Sequence, residues 1–129
     1  MIFHSFKNQD ARRTFGGSAF IEMQYCTQKL GTKLKKIVNA HGYWIDSSLY
    51  IYIDDIESFL SNYEEIFYGG TYQNLHSGKV DIFGVNYYSP ERLKNTLLKI
   101  EEQKPLDYTV ILEWLKNGEN FNGFYILGI

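Results

Sequence analysis

Cysteine and histidine, the side chains best suited to nucleophilic attack and proton transfer near neutral pH, are sparse in this chain, with one and three residues. Cys26, the only cysteine, and His41 are the one nucleophile and base that a shared apolar face would group. On a straight helix their fifteen-residue separation is roughly 22 Å at 1.5 Å per residue, too far for direct proton transfer. Both read as core residues. The three histidines, His4, His41 and His76, lie far apart, and none of the usual ligand spacings joins them to Cys26. Ser77-Gly78-Lys79-Val80 has the ending of a phosphate-binding loop, but Gln73 stands where the first glycine belongs. Val80 also lacks the hydroxyl that would ligate magnesium. No catalytic residue, metal or cofactor is expected.

Charge carries more information. Residues 1–41 sum to +5, residues 42–78 to −6 with no Lys or Arg, and residues 79–129 to −1. The middle block contains Asp46, Asp54, Asp55, Glu57, Glu64 and Glu65, with six of the eleven tyrosines: Tyr43, Tyr50, Tyr52, Tyr63, Tyr68 and Tyr72. An acidic surface edged with tyrosine speeds encounter with a basic partner and offers apolar contact with a hydrogen-bonding end. Asp46, Asp55, Glu57, Glu64, Glu65, Tyr68 and Tyr72 are therefore the candidate partner-binding residues. Glu64 and Glu65 are the most telling, because Asp54 and Glu57 also fit a capping box. Lys29, Lys33 and Lys36, with Arg12 and Arg13 upstream, form a basic stripe, but the sequence pI is near 5.9 and no nucleic-acid motif accompanies it. Nucleic acid is not the expected partner.

Several elements would position these residues. Ile2, Phe3 and Phe6 suggest an edge strand, and Lys7 to Gly17 a polar loop. From Ser18 the residues Phe20, Met23, Cys26, Leu30, Leu34, Ile37, Val38 and His41 recur at helical spacing, predicting one long helix to residue 41. On that helix Leu34→Asp would bury an unpaired carboxylate and unfold the chain. Ala19 to Tyr25 also alternates as a strand would.

Tyr43 to Ile53 predicts strand, broken to a hairpin at Asp46-Ser47-Ser48. Asp54 then caps a helix burying Ile56, Phe59, Leu60, Tyr63, Ile66 and Phe67, which Gly69-Gly70 stops. Val80 to Tyr88 predicts a strand, and Ser89-Pro90 opens a helix with Leu93, Leu97 and Ile100 inward. A shorter helix from Asp107 buries Val110, Ile111 and Trp114, and Phe121 to Ile129 closes the chain as a strand. Without regular βαβ alternation, the expectation is a single α+β domain, its mainly antiparallel sheet packed on one long and two or three shorter helices.

Length and composition set the outer bounds. At 129 residues, with 44% hydrophobic and 22% charged residues, the chain has the make-up of one packed domain and not of a disordered segment. No apolar run approaches the roughly 20 residues of a membrane-spanning helix. The N-terminus lacks the pattern of a secretory signal, and a lone thiol suits a reducing compartment. A cytoplasmic location is expected.

The chain resembles the small cytoplasmic immunity proteins encoded beside bacterial polymorphic toxins, including those of contact-dependent growth inhibition systems. The likeness lies in size, in Tyr50-Ile51-Tyr52-Ile53-Asp54-Asp55 through Tyr63-Glu64-Glu65, and in the closing Asn122-Gly123-Phe124-Tyr125-Ile126-Leu127-Gly128-Ile129. The resemblance implies a protein partner, a basic toxin domain and often a nuclease, inhibited by an acidic surface that plugs or covers its active site. The alternatives are a structural or adaptor subunit of a larger assembly and, behind it, an enzyme whose site is built from dispersed residues.

Overall fold

Strand pairing organises the chain around its C-terminal segment. The computed structural model describes all residues from Met1 to Ile129. Helix α1 (Gln9–Gly16) leads to β1 (Phe20–Tyr25), the short α2 (Leu34–Ile37) and β2 (Leu49–Tyr52). A 3-10 turn over Ile53–Asp55 precedes α3 (Ile56–Tyr63), and the two-residue strands β3 (Gly70–Thr71) and β4 (Ser77–Gly78) follow. Next come β5 (Val85–Tyr88), α4 (Pro90–Gln103), α5 (Tyr108–Asn117) and β6 (Phe124–Leu127). The strands form one six-stranded sheet in the order β2-β1-β6-β5-β3-β4, every neighbouring pair antiparallel. The α+β class follows directly.

Alternation assigns the two faces. Ile21 and Met23 of β1, Leu49 and Ile51 of β2, Tyr88 of β5, and Phe124 and Ile126 of β6 meet α3, α4 and α5. Those helices contribute Phe59, Tyr63, Leu93, Leu97, Ile100, Ile111, Trp114 and Leu115 to the same core. The opposite face carries Val85, Tyr87, Tyr125 and Leu127, covered by Cys26, Ile37 and Val38. Beside them Phe20, Tyr50 and Tyr52 pack against Phe6 and Phe15. Both faces are covered, so all four residues of β6 are buried.

The largest departure from the sequence-based expectation lies in residues 18–41. There is no helix over residues 18–41: β1 and α2 occupy that span, joined by a turn in which Gly31 has φ +88. Residues 20–30 carry two periods at once: Ile21, Met23 and Tyr25 alternate with Glu22 and Gln24, whose polar side chains are buried on the second face, while Phe20, Met23, Cys26 and Leu30 also fall at helical spacing. Leu34 is consequently 43% exposed, which removes the burial on which the expected unfolding by Leu34→Asp rested.

The predicted loop at Lys7–Gly17 is instead α1, capped by the Asn8 side chain accepting from the Ala11 amide at 2.9 Å. Its only buried residue is Arg12, so it has no apolar stripe to reveal it. At the N-terminus only His4 bridges β2, through Tyr50. Residues 43–45 are not strand, since Trp44 adopts φ +59. The capping box is also absent: α3 starts at Ile56, and neither Asp54 nor Asp55 makes a side-chain cap bond. The strand predicted over Val80–Tyr88 is only Val85–Tyr88. Ser89 does cap α4, accepting from the Arg92 amide at 3.2 Å, with Pro90 in the first turn.

Candidate functional site

Helix α3 turns Phe59 and Tyr63 into the core and leaves Glu57 on its exposed side, with Glu64 and Glu65 exposed in the turn that follows. These three carboxylates, with Leu60, Asn62 and Gln103, line one shallow depression of about 550 Å³. Leu60 and Glu64 also belong to an adjoining groove of about 410 Å³, completed by Tyr72, Lys79, Asp81, Ile82 and Phe83. Glu57, Glu64, Glu65 and Tyr72 thus share one continuous surface. Tyr72 is fixed by its hydroxyl, which donates to the Lys79 carbonyl. Tyr68, 60% exposed, lies near enough to raise the Tyr72 phenol pKa, behind the larger effects of burial and Asp81.

Three of the seven candidate residues line neither depression: Tyr68 stands beside Tyr72, and Asp46 and Asp55 lie elsewhere. Asp46 sits against α1, accepting from the Gln9 side-chain amide at 2.9 Å, and lines neither depression. Asp55 is half-buried at the end of the 3-10 turn and also lines neither. Lys79 brings one positive charge to the groove, which the summed charge of residues 42–78 does not register.

The residue that sequence spacing missed is Phe83. It is 76% exposed and stands on a turn closed by the Gly84 amide donating to the Asp81 carbonyl. Asn86 braces that turn, donating to the Asp81 carbonyl at 2.9 Å while its side-chain oxygen accepts from the Asp81 amide at 2.8 Å. The available signal was Asp81-Ile82-Phe83-Gly84, with Asp first and Gly fourth as a type I turn prefers.

No side-chain ion pair forms within 4 Å; the single charged contact is the Met1 amino group to Asp107 at 3.8 Å. The carboxylates of the α3 surface therefore face solvent without an ion-pair partner, with Lys79 the one cation lining the groove.

On the other sheet face Glu22 is only 1% exposed and has no cationic partner. Its Oε1 accepts from the Trp44 amide at 2.7 Å. Its Oε2 accepts from the Ile45 amide at 3.0 Å, the Ser48 hydroxyl at 2.7 Å and the Gln24 side chain at 3.1 Å. These donors stabilise a charge that would otherwise cost several kcal/mol to bury. The left-handed backbone at Trp44 is part of this arrangement. Arg12, likewise 1% exposed, lies 3.9 Å over the Trp44 ring and donates to Gln9 and the Gly17 carbonyl.

Cys26 and His41, remote on a helix, both approach Tyr125 in the fold. The Cys26 sulfur is 3.4 Å from its hydroxyl and the His41 ring 5.9 Å from its ring. Cys26 is fully buried, leaving its sulfur no route to a substrate. Burial lowers the His41 pKa, against the opposing pull of Glu22. No cluster of three or more His, Cys, Asp or Glu side chains converges on one point. No helix is long and apolar enough to cross a membrane. No family model matches this chain, and comparison with curated proteins and with solved structures found no match either.

Proposed function

We infer that the chain is a binding protein that neutralises a bacterial toxin by direct contact, using the acidic, aromatic-edged surface of α3 and the Phe83 turn. One observation carries the reading: Glu57, Glu64 and Glu65 stand unpaired on a surface continuous with the groove of Tyr72 and the exposed ring of Phe83. Unpaired carboxylates draw in a basic partner, and the rings supply apolar contact once it arrives. The toxin class rests on the resemblance to immunity proteins, and with it the cytoplasm as the place of action.

The test is a pull-down with the product of the adjacent gene, followed by association kinetics at two salt concentrations. Reversing Glu64 and Glu65 to lysine slows association on the order of tenfold and flattens its salt dependence. Capture of a basic partner whose rate and affinity ignore the double reversal would sink this surface as the site.

A further inference from the structure

Phe83 belongs to two concavities. On one side it completes the acidic groove with Glu64 and Tyr72, and on the other it lines a separate cavity of about 260 Å³. Phe20, Trp44, Val85 and Leu127 wall this second cavity, Tyr43 stands beside them, and Glu22 supplies its only carboxylate side chain. The groove and the cavity thus adjoin at one exposed ring.

Glu22 has acceptor capacity left. A carboxylate offers about four lone-pair directions, two per oxygen. Oε2 is saturated by three donors, whereas Oε1 accepts only from the Trp44 amide. Neither oxygen has a cation within ion-pair distance, since Arg12 is committed to Gln9 and the Gly17 carbonyl. A buried carboxylate with a free acceptor position, walled by aromatic rings, suits a planar cation that stacks and donates in fixed directions. Guanidinium meets that description better than the compact, strongly hydrated ammonium of lysine.

We propose that this cavity receives one arginine side chain of the basic partner, its guanidinium directed at Glu22 Oε1 and its stem against Phe83. The assignment rests on reading the α3 surface as the partner face and adds its anchor. Exposed carboxylates on α3 govern the rate of encounter, and the enclosed arginine holds the complex after docking, because a desolvated charge pair acts on dissociation.

The probe is Nα-acetyl-arginine amide, titrated into the full-length isotope-labelled protein and followed by amide chemical shifts, with the neutral isostere Nα-acetyl-citrulline amide as control. Saturable shifts at Trp44, Val85 and Leu127 with the arginine probe are expected, with affinity at least about tenfold above that for citrulline. Phe83→Ala and Ser18→Trp, both at exposed positions and the latter narrowing the cavity, should weaken the arginine probe at least about threefold while leaving the remaining spectrum folded. Glu22→Gln, which also disturbs the loop donors, is read only if that spectrum stays native. Equal affinity for citrulline, or no saturable shift at these residues, overturns the proposal. That outcome is separable from failure of the α3 surface, because the Glu64 and Glu65 reversals are read on association rate with the partner and not on the probe.

Discussion

At the scale of single residues, burial of polar groups is the dominant theme, and Glu22 is its sharpest case. Truncation to alanine would leave the Trp44 and Ile45 amides and the Ser48 hydroxyl without their acceptor. An unsatisfied buried donor costs about 1–3 kcal/mol, so Glu22→Ala should lower unfolding free energy by about 3 kcal/mol or more in a urea titration. A loss below about 1 kcal/mol would mean that water replaces the carboxylate.

Tyrosines give a second test. Burial pushes Tyr25 and Tyr50 from 10.0 up to about 12, and Tyr63, Tyr87, Tyr88 and Tyr125 are raised as well. Because the folded state holds these protons more tightly, their contribution is complete below the unfolded value of 10.0. It is lost as pH rises through about 12. Melting temperature should therefore fall steeply between those values, in step with tyrosinate absorbance. Melting that stays flat while the phenols ionise would contradict their burial. His41 works in the opposite direction: its lowered pKa means that stability is held above 6.5 and lost as pH falls.

At the scale of elements, each helix end can be weighed by whether its cap makes a bond. Ser89 caps the longest helix, α4, so Ser89→Ala should cost about 1 kcal/mol, read as a shift in urea midpoint with unchanged slope. Asp54 makes no cap bond and is exposed, and Asp54→Ala should move the midpoint by less than about 0.5 kcal/mol equivalent. Asp107, at the start of α5, accepts from the Ile2 amide at 2.7 Å instead of capping its helix. It ties the N-terminus to the helical layer. The four-residue α2 anchors through Ile37, leaving Leu34 outward, so Leu34→Asp should melt within a few degrees of the parent chain.

At the scale of the whole molecule, charge is separated without internal pairing. The basic excess of residues 1–41 and the acidic excess of residues 42–78 do not meet in side-chain ion pairs. Exposed Lys29 and Lys33 precede α2 and exposed Lys35 and Lys36 lie on it, while the carboxylates gather along α3 and the turn after it. On the proposed reading, encounter is steered by charge, and raising salt from about 50 mM to about 200 mM should slow capture of a basic partner by the parent chain far more than by the Glu64 and Glu65 double reversal. Stopped-flow association of the two proteins at both salt concentrations checks this. Identical salt slopes would place the encounter surface elsewhere.

Composition and local spacing determined the α+β class, the Ser89-Pro90 start of α4, its inward Leu93, Leu97 and Ile100, and the acidic character of the middle block. These are properties of neighbours in sequence, where capping geometry and one-sided periodicity act over a few residues. Only the tertiary structure decided that residues 20–25 are strand, because that segment satisfies both the helical and the two-residue period, and pairing of β1 with β2 and β6 selects between them. It also decided that α1 exists, since its buried side chain is a charged Arg12 stacked on Trp44. The candidate surface divided in the same way: Glu57, Glu64 and Glu65 were legible as a run of charge. Their junction with Tyr72 and Phe83, and the separation of Asp46, depend on which strands pair across the sheet, and that pairing is set by contacts between residues distant in the chain.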